Sequence, residues 1–134
     1  MEEHPQTITG PFGRFTRQAN GLIYFYKQDD LAIDVSTAQK FLDIIRQLDN
    51  SGEVRIIVVQ GHGVEYSFDA QRLLLKNDVL SMIAYVIQTG TQYLTAELLQ
   101  DVAKSLKSQI QVEIFQEIEA AEAWLLEEAG ESEK

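Results

Sequence analysis

A strand-length apolar run followed by a helix-length amphipathic run occurs twice in succession over the last third of the chain. Ile83-Ala-Tyr-Val-Ile87 precedes a helical stretch from Leu94 to Leu106, and Val112-Glu-Ile-Phe115 precedes another from Ile118 to Leu126. Strand, helix, strand, helix with short joints is the pattern of neighbouring parallel strands with helices packed on their sheet. It predicts an α/β fold and leaves the chemistry open.

The same alternation extends upstream. Val54-Arg-Ile-Ile-Val-Val59 reads as a strand buried on both faces, bounded by the turn-rich Gly61-His62-Gly63. The preceding helix runs from about Val35 to Leu48, with Phe41, Leu42, Ile44, Ile45 and Leu48 on one face. It can be capped by Asp34, or by Ser36 with Gln39 as a capping box, and Gly52 suits its left-handed exit. Ser67 is a good N-cap for a helix from Phe68 to Lys76, with Asp69 in its first turn. Nearer the start, Arg14 to Gln18 and Leu22 to Lys27 flank Asn20-Gly21, which predicts a hairpin closed by a type I′ turn. Its second strand is apolar or aromatic almost throughout and belongs inside the sheet. These readings give one domain over residues 13–129, after a loosely ordered segment 1–12 with one short strand at Thr7 to Thr9, and before an acidic tail 130–134. The expected architecture is a mixed sheet of about five strands, three of them parallel, with about four helices mainly on one side.

The chain carries 11 basic against 21 acidic residues, a formal charge of −10, and no basic cluster. Nucleic acid and anionic membrane surfaces are therefore poor partners. No apolar run approaches the roughly 18 residues of a membrane span, and Met1-Glu-Glu-His-Pro lacks the basic start and apolar run of a secretory signal. The expectation is a cytoplasmic protein. Seven glutamates from Glu117 to Glu133 could form a docking face for a basic partner, but they read more simply as a solvated helix face and tail.

Chemistry is sparsely signalled. With no cysteine and two separated histidines, neither a thiol nucleophile nor a transition-metal site is expected, and no cofactor is implied. The loop Gln60 to Ser67 follows the carboxyl end of a central strand, the usual ligand position in open α/β sheets. It carries His62, Glu65, Tyr66 and Ser67 as candidate ligand or partner residues. One reading is an anion held at the start of the next helix; the plainer one is a flexible loop ending in a cap, which Asp69 favours. Phe15, Tyr24 and Tyr26 could line an apolar pocket if one sheet face is left open. Phe115 and Trp124 could floor another, although closing the core is their simpler role.

The order of elements, together with Asn20-Gly-Leu-Ile-Tyr-Phe, Val35-Ser-Thr-Ala-Gln, Ser67-Phe-Asp-Ala-Gln-Arg72 and Val112-Glu-Ile-Phe115 followed by Ala120-Ala-Glu-Ala-Trp-Leu125, resembles the STAS superfamily of anti-sigma-factor antagonists, nearest its SpoIIAA-like branch of small bacterial proteins. The resemblance spans about residues 13–126. It implies a non-enzymatic regulatory domain that binds another protein; a carrier of small apolar molecules or lipid is the alternative, and an enzyme the remote one. Independently of the resemblance, a sheet whose helices collect on one side leaves apolar surface elsewhere, so a homodimer is expected. In phosphorylated members an Asp-Ser pair precedes the second helix. Here Ser67 falls near that serine, but it follows Tyr66 and precedes Phe68-Asp69, which departs from the switch pattern.

Overall fold

The computed structural model describes residues 6–132, with side chains through residue 127. Six strands form one sheet: β1 (Gln6–Gly10), β2 (Gly13–Arg17), β3 (Ile23–Lys27), β5 (Val54–Val59), β7 (Leu80–Val86) and β8 (Gln111–Phe115), in that spatial order. The first three are antiparallel; β3, β5, β7 and β8 run parallel. Two short strands, β4 (Ala32–Ile33) and β6 (Glu65–Tyr66), make a separate parallel ribbon.

The alternation of the sequence is thus realised, with one strand more than expected in the main sheet and four rather than three parallel. The extra strand is β1. Residues 6–10 pair fully with β2, from Gln6 opposite Arg17 to Gly10 opposite Gly13, so the short strand expected at Thr7 to Thr9 is longer than expected and joins the main sheet as its edge. Alternating Thr and Ile there suits an edge with one packed side, and Ile8 packs against the main core. Residues 1–5 lie outside the described residues.

The β2–β3 hairpin also closes differently. The Gly21 N–H donates to Gln18 O at 2.9 Å and the Gln18 N–H to Leu22 O at 3.0 Å. Only Gly21, at φ +88°, is left-handed. This is a three-residue loop with glycine at the bulge position rather than the two-residue type I′ turn. Asn20 keeps ordinary φ because its side chain serves the loop instead, accepting from the Leu22 N–H at 3.0 Å.

Three helices, α1 (Val35–Leu48), α2 (Phe68–Leu75) and α3 (Gly90–Ser105), connect successive parallel strands. Since the strand order advances in one direction and such crossovers are right-handed, all three fall on the same face. Ala38, Phe41, Leu42, Ile45 and Leu48 of α1 supply its buried stripe, and Phe41 meets the stacked pair Phe15–Phe25, whose ring centroids are 3.9 Å apart. Asp34 caps α1, accepting from the Thr37 N–H at 2.8 Å. That charge-assisted bond holds the Asp34 carboxyl below its ordinary range. The last helix, α4 (Ile118–Ser132), follows the final strand and makes no crossover. It packs on the opposite face, where Ala121 and Leu125 cover Leu22, Tyr24, Ile57, Met82, Ala84 and Val86. Its backbone runs through residues 130–132, into the stretch read as a tail.

Candidate functional site

Strand periodicity places the first functional feature. Ile23, Phe25 and Lys27 share the helix-facing side of β3, and Ile56 and Val58 of β5 point the same way, with Gln60 continuing that row. At the carboxyl edge of the parallel strands the apolar rows therefore end in a lysine and a glutamine. Gln60 is buried. Lys27 is half-buried as a residue, with its ammonium turned toward aromatic side chains that set its protonation.

The Lys27 Nζ lies 4.6 Å from the ring centre of Tyr66, 5.5 Å from Phe25 and 6.0 Å from Tyr85. It donates to the Tyr66 hydroxyl, which in turn donates to Gln60 Oε1 at 3.4 Å. Among the described residues no carboxylate pairs with it. Desolvation without a compensating charge pulls the Lys27 pKa down to about 7. The same burial raises both Tyr66 and Tyr85, so both phenols stay protonated at neutral pH. A cavity of about 30 Å³ adjoins Lys27, walled by Phe25, Tyr66, Leu74 and Tyr85.

The polar chain continues to α3. The Gln92 Nε2 donates to Gln60 O at 3.2 Å, and the Gln92 Oε1 accepts from the Gln88 and Thr89 N–H groups in the capping box that opens the helix. Lys27, Tyr66, Gln60 and Gln92 so link the ends of β3 and β5, the ribbon and the start of α3.

Above this layer lies the loop of candidate residues. It is held as part of the β4–β6 ribbon: the Glu65 N–H donates to Leu31 O and the Ser67 N–H to Ile33 O, each at 2.9 Å. The His62 N–H donates to Asp29 Oδ1 at 2.9 Å. Gly61 is needed there because a side chain would meet Gln28 O at 2.4 Å. His62, Glu65 and Ser67 are exposed, whereas Tyr66 turns its hydroxyl inward. Ser67 caps α2, accepting from the Ala70 N–H at 3.1 Å. The four residues are neighbours in one ordered segment, but only Tyr66 joins the buried network.

The second candidate set does not come together. β2 and β3 pair with Phe15 opposite Phe25 and Thr16 opposite Tyr24, so Phe15 faces the three-helix side while Tyr24 and Tyr26 face α4. Both Phe15 and Tyr24 are filled into cores. Tyr24 donates to Glu122 of α4 and accepts from Asn20 Nδ2 at 3.1 Å; burial first, and the Glu122 bond second, push its pKa up to about 12. Phe115 and Trp124 close the α4 core, their ring centres 5.7 Å apart.

Exposed apolar side chains mark the same edge as the buried network. Val35, Phe68, Tyr93 and Leu94, 46%, 63%, 42% and 64% exposed, all lie in the opening turns of α1, α2 and α3, with Leu98 one turn further along α3. Helix starts meet at the carboxyl edge of a parallel sheet by construction, which brings these side chains to one rim. Asp34, Glu65 and Asp69 are exposed among them.

A concavity of about 640 Å³ lies at the opposite edge, between Gly52, Lys76, Asp78, Ser81, Lys107 and Gln109. Its polar groups serve the backbone locally: Asn77 Oδ1 accepts from the Val79 and Leu80 N–H groups, and the Ser81 hydroxyl donates toward Glu53 O and Val54 O. No reactive group converges there, so its size does not make it the functional centre. Among the described residues no cluster of three or more His, Asp or Glu could hold a metal ion, and no helix is long and apolar enough to cross a membrane.

Comparison with protein-family models, curated proteins and solved structures finds no match to this chain.

Lys27 and Gln60 were missed as site residues in the sequence reading, although a signal was present. Each is a polar residue two positions beyond an apolar one on a core-facing row, where the period calls for another apolar side chain.

Proposed function

We propose that the chain is a non-enzymatic protein-interaction domain that docks a partner protein on the rim formed by the starts of α1, α2 and α3. The observation that carries this is Phe68, a large aromatic exposed by 63% at the first position of α2, with Val35 and Leu94 exposed on the flanking helices. Aromatic side chains anchored at the centre of a patch dominate binding energies, and clustered apolar exposure on a soluble surface favours an interface. Asp34, Glu65 and Asp69 around the patch, on a chain of charge −10, suit a partner segment with basic residues flanking an apolar anchor. The STAS resemblance points to the same class of function.

The carrier alternative has less support. The cavity beside Lys27 measures about 30 Å³, room for about one water molecule, whereas ligand pockets occupy roughly 300 Å³ or more.

A photoreactive amino acid placed at position 68 in the native cell tests the proposal against the same probe at Glu113, exposed on β8. A discrete adduct with a different polypeptide at 68 only, lost on Leu94→Glu, is the expected result. An adduct of two copies of this chain would assign the rim to a homodimer instead. Equal, diffuse labelling at both positions would end the proposal.

A further inference from the structure

The Lys27 amine sits where a strand's apolar row should end in another apolar side chain. It is enclosed by three aromatic rings, has no carboxylate partner among the described residues, and borders a small cavity. A methionine or leucine would fill this position without the cost of desolvating a cation. Local choices that work against stability are expected where a site is built. We propose that Lys27 is a covalent binding site for a small carbonyl compound, a short-chain aldehyde, held as an imine on its Nζ.

The surroundings select this chemistry. The titratable groups facing Nζ are the Tyr66 and Tyr85 phenols, both kept neutral; α1 and α2 present Phe41, Ile45 and Leu74. The rings and the Tyr66 oxygen are weak partners for a cation and no carboxylate among the described residues joins them, so desolvation prevails and a sizeable fraction is free amine at neutral pH, against roughly one part in a few thousand for an ordinary lysine. Desolvated lysines are activated nucleophiles for carbonyl carbon. With no second cation in the pocket an anionic ligand would have little to hold it, whereas a neutral, mostly apolar molecule suits the walls. At about 30 Å³, little more than one water molecule's room, the cavity limits the adduct to the smallest aldehydes, since the carbonyl oxygen leaves as water and only a short carbon stub stays on Nζ.

The step balances without any further reactant. The amine lone pair attacks the carbonyl carbon and forms the C–N bond, while the C=O π pair moves to oxygen, which takes up the proton released from nitrogen. The resulting hydroxyl then leaves as water with a second proton, as the nitrogen lone pair closes the C=N bond. One amine and one aldehyde give one imine and one water. Tyr66, hydrogen-bonded to Nζ, is a positioning residue here: its protonated hydroxyl can donate to the departing oxygen. The rings of Phe25, Tyr66 and Tyr85 would stabilise a protonated imine.

The test is reductive trapping on the full chain with acetaldehyde and cyanoborohydride, each lysine read by peptide mass spectrometry. At about pH 7, Lys27 should be ethylated at least about tenfold faster than the exposed Lys40, Lys76, Lys104 and Lys107. Its rate should level off just above neutrality, and prior denaturation should erase the preference. Tyr66→Phe keeps the amine and most of the cavity and should slow Lys27 several-fold without changing the surface lysines. Labelling of Lys27 no faster than the surface lysines, or rising only above about pH 9, would overturn the proposal. So would equal labelling of Lys27 by 2-naphthaldehyde, which the cavity should exclude. None of these outcomes depends on the docking rim.

Discussion

At the scale of single residues, Lys27 carries the most consequence. Its pKa is about 7 in the folded chain and near 10.4 unfolded, so between those values the unfolded chain binds the extra proton. Stability from this group therefore rises as pH increases through that window, and the full penalty stands below about pH 7. Lys27→Met should stabilise the domain near pH 6 by roughly 1–3 kcal/mol, with the gain shrinking toward pH 9. Urea unfolding of both chains across that range checks it. Ser67 is a plainer case. Its hydroxyl is engaged by the Ala70 N–H, so Ser67→Ala should cost about 1 kcal/mol. Ser67→Asp should be close to neutral, since aspartate also caps and suits the helix dipole. Thermal melts of the two variants decide between a cap and a residue whose charge reorganises the ribbon.

Among the elements, the ends of α3 show how the chain departs from simple capping rules. Its start is a full capping box from Thr89 and Gln92. At its other end Lys107 adopts φ +55°, with the Ser108 N–H donating to Ala103 O at 3.0 Å. A left-handed closing residue is usually glycine because a β-carbon is strained there. Lys107→Gly should raise stability by about 0.5–1 kcal/mol, measurable as a shift in the denaturant midpoint at unchanged slope. The β4–β6 ribbon tests a second element. Gly61→Ala would drive a β-carbon into Gln28 O and displace the loop that places Glu65 and Ser67. Amide exchange should then accelerate at those two positions, while β5 and β7, buried in the central sheet, keep their protection. Uniform acceleration across the sheet would mean that the ribbon is not a separate unit.

For the whole molecule, one sheet serves two cores. Phe15, Phe25 and Phe41 lie on the side of α1, α2 and α3; Tyr24, Ile57 and Leu125 lie on the side of α4. Because β3, β5 and β7 contribute to both, neither core can melt alone. Trp124, the sole tryptophan, reports on the α4 side. Its fluorescence transition should coincide with the far-ultraviolet circular dichroism transition in urea; an earlier tryptophan transition would show α4 detaching first.

The strand–helix alternation, the interior position of β3 and the caps at Asp34 and Ser67 were legible in the sequence because each is written in local periodicity or in the chemistry of one or two neighbouring residues, whereas α1 closes on an extended Asp49 and not on the left-handed Gly52. A short strand at Thr7 to Thr9 was legible, but its full pairing over residues 6–10 was not. An edge strand's backbone bonds go to β2, and short polar–apolar alternation does not show whether a partner strand is available. Nor was the split of Phe15 from Tyr24, since register across a hairpin depends on loop length, and a three-residue loop replaced the two-residue one. The lysine was visible as a polar residue at the end of a core-facing row, but its meaning came from Tyr66 and Tyr85, 39 and 58 positions away in the chain. Local pattern determined which segments are strands and helices. Only the tertiary structure decided which face each side chain occupies and which distant groups surround it, because burial, desolvation and pairing depend on contacts between segments far apart in sequence.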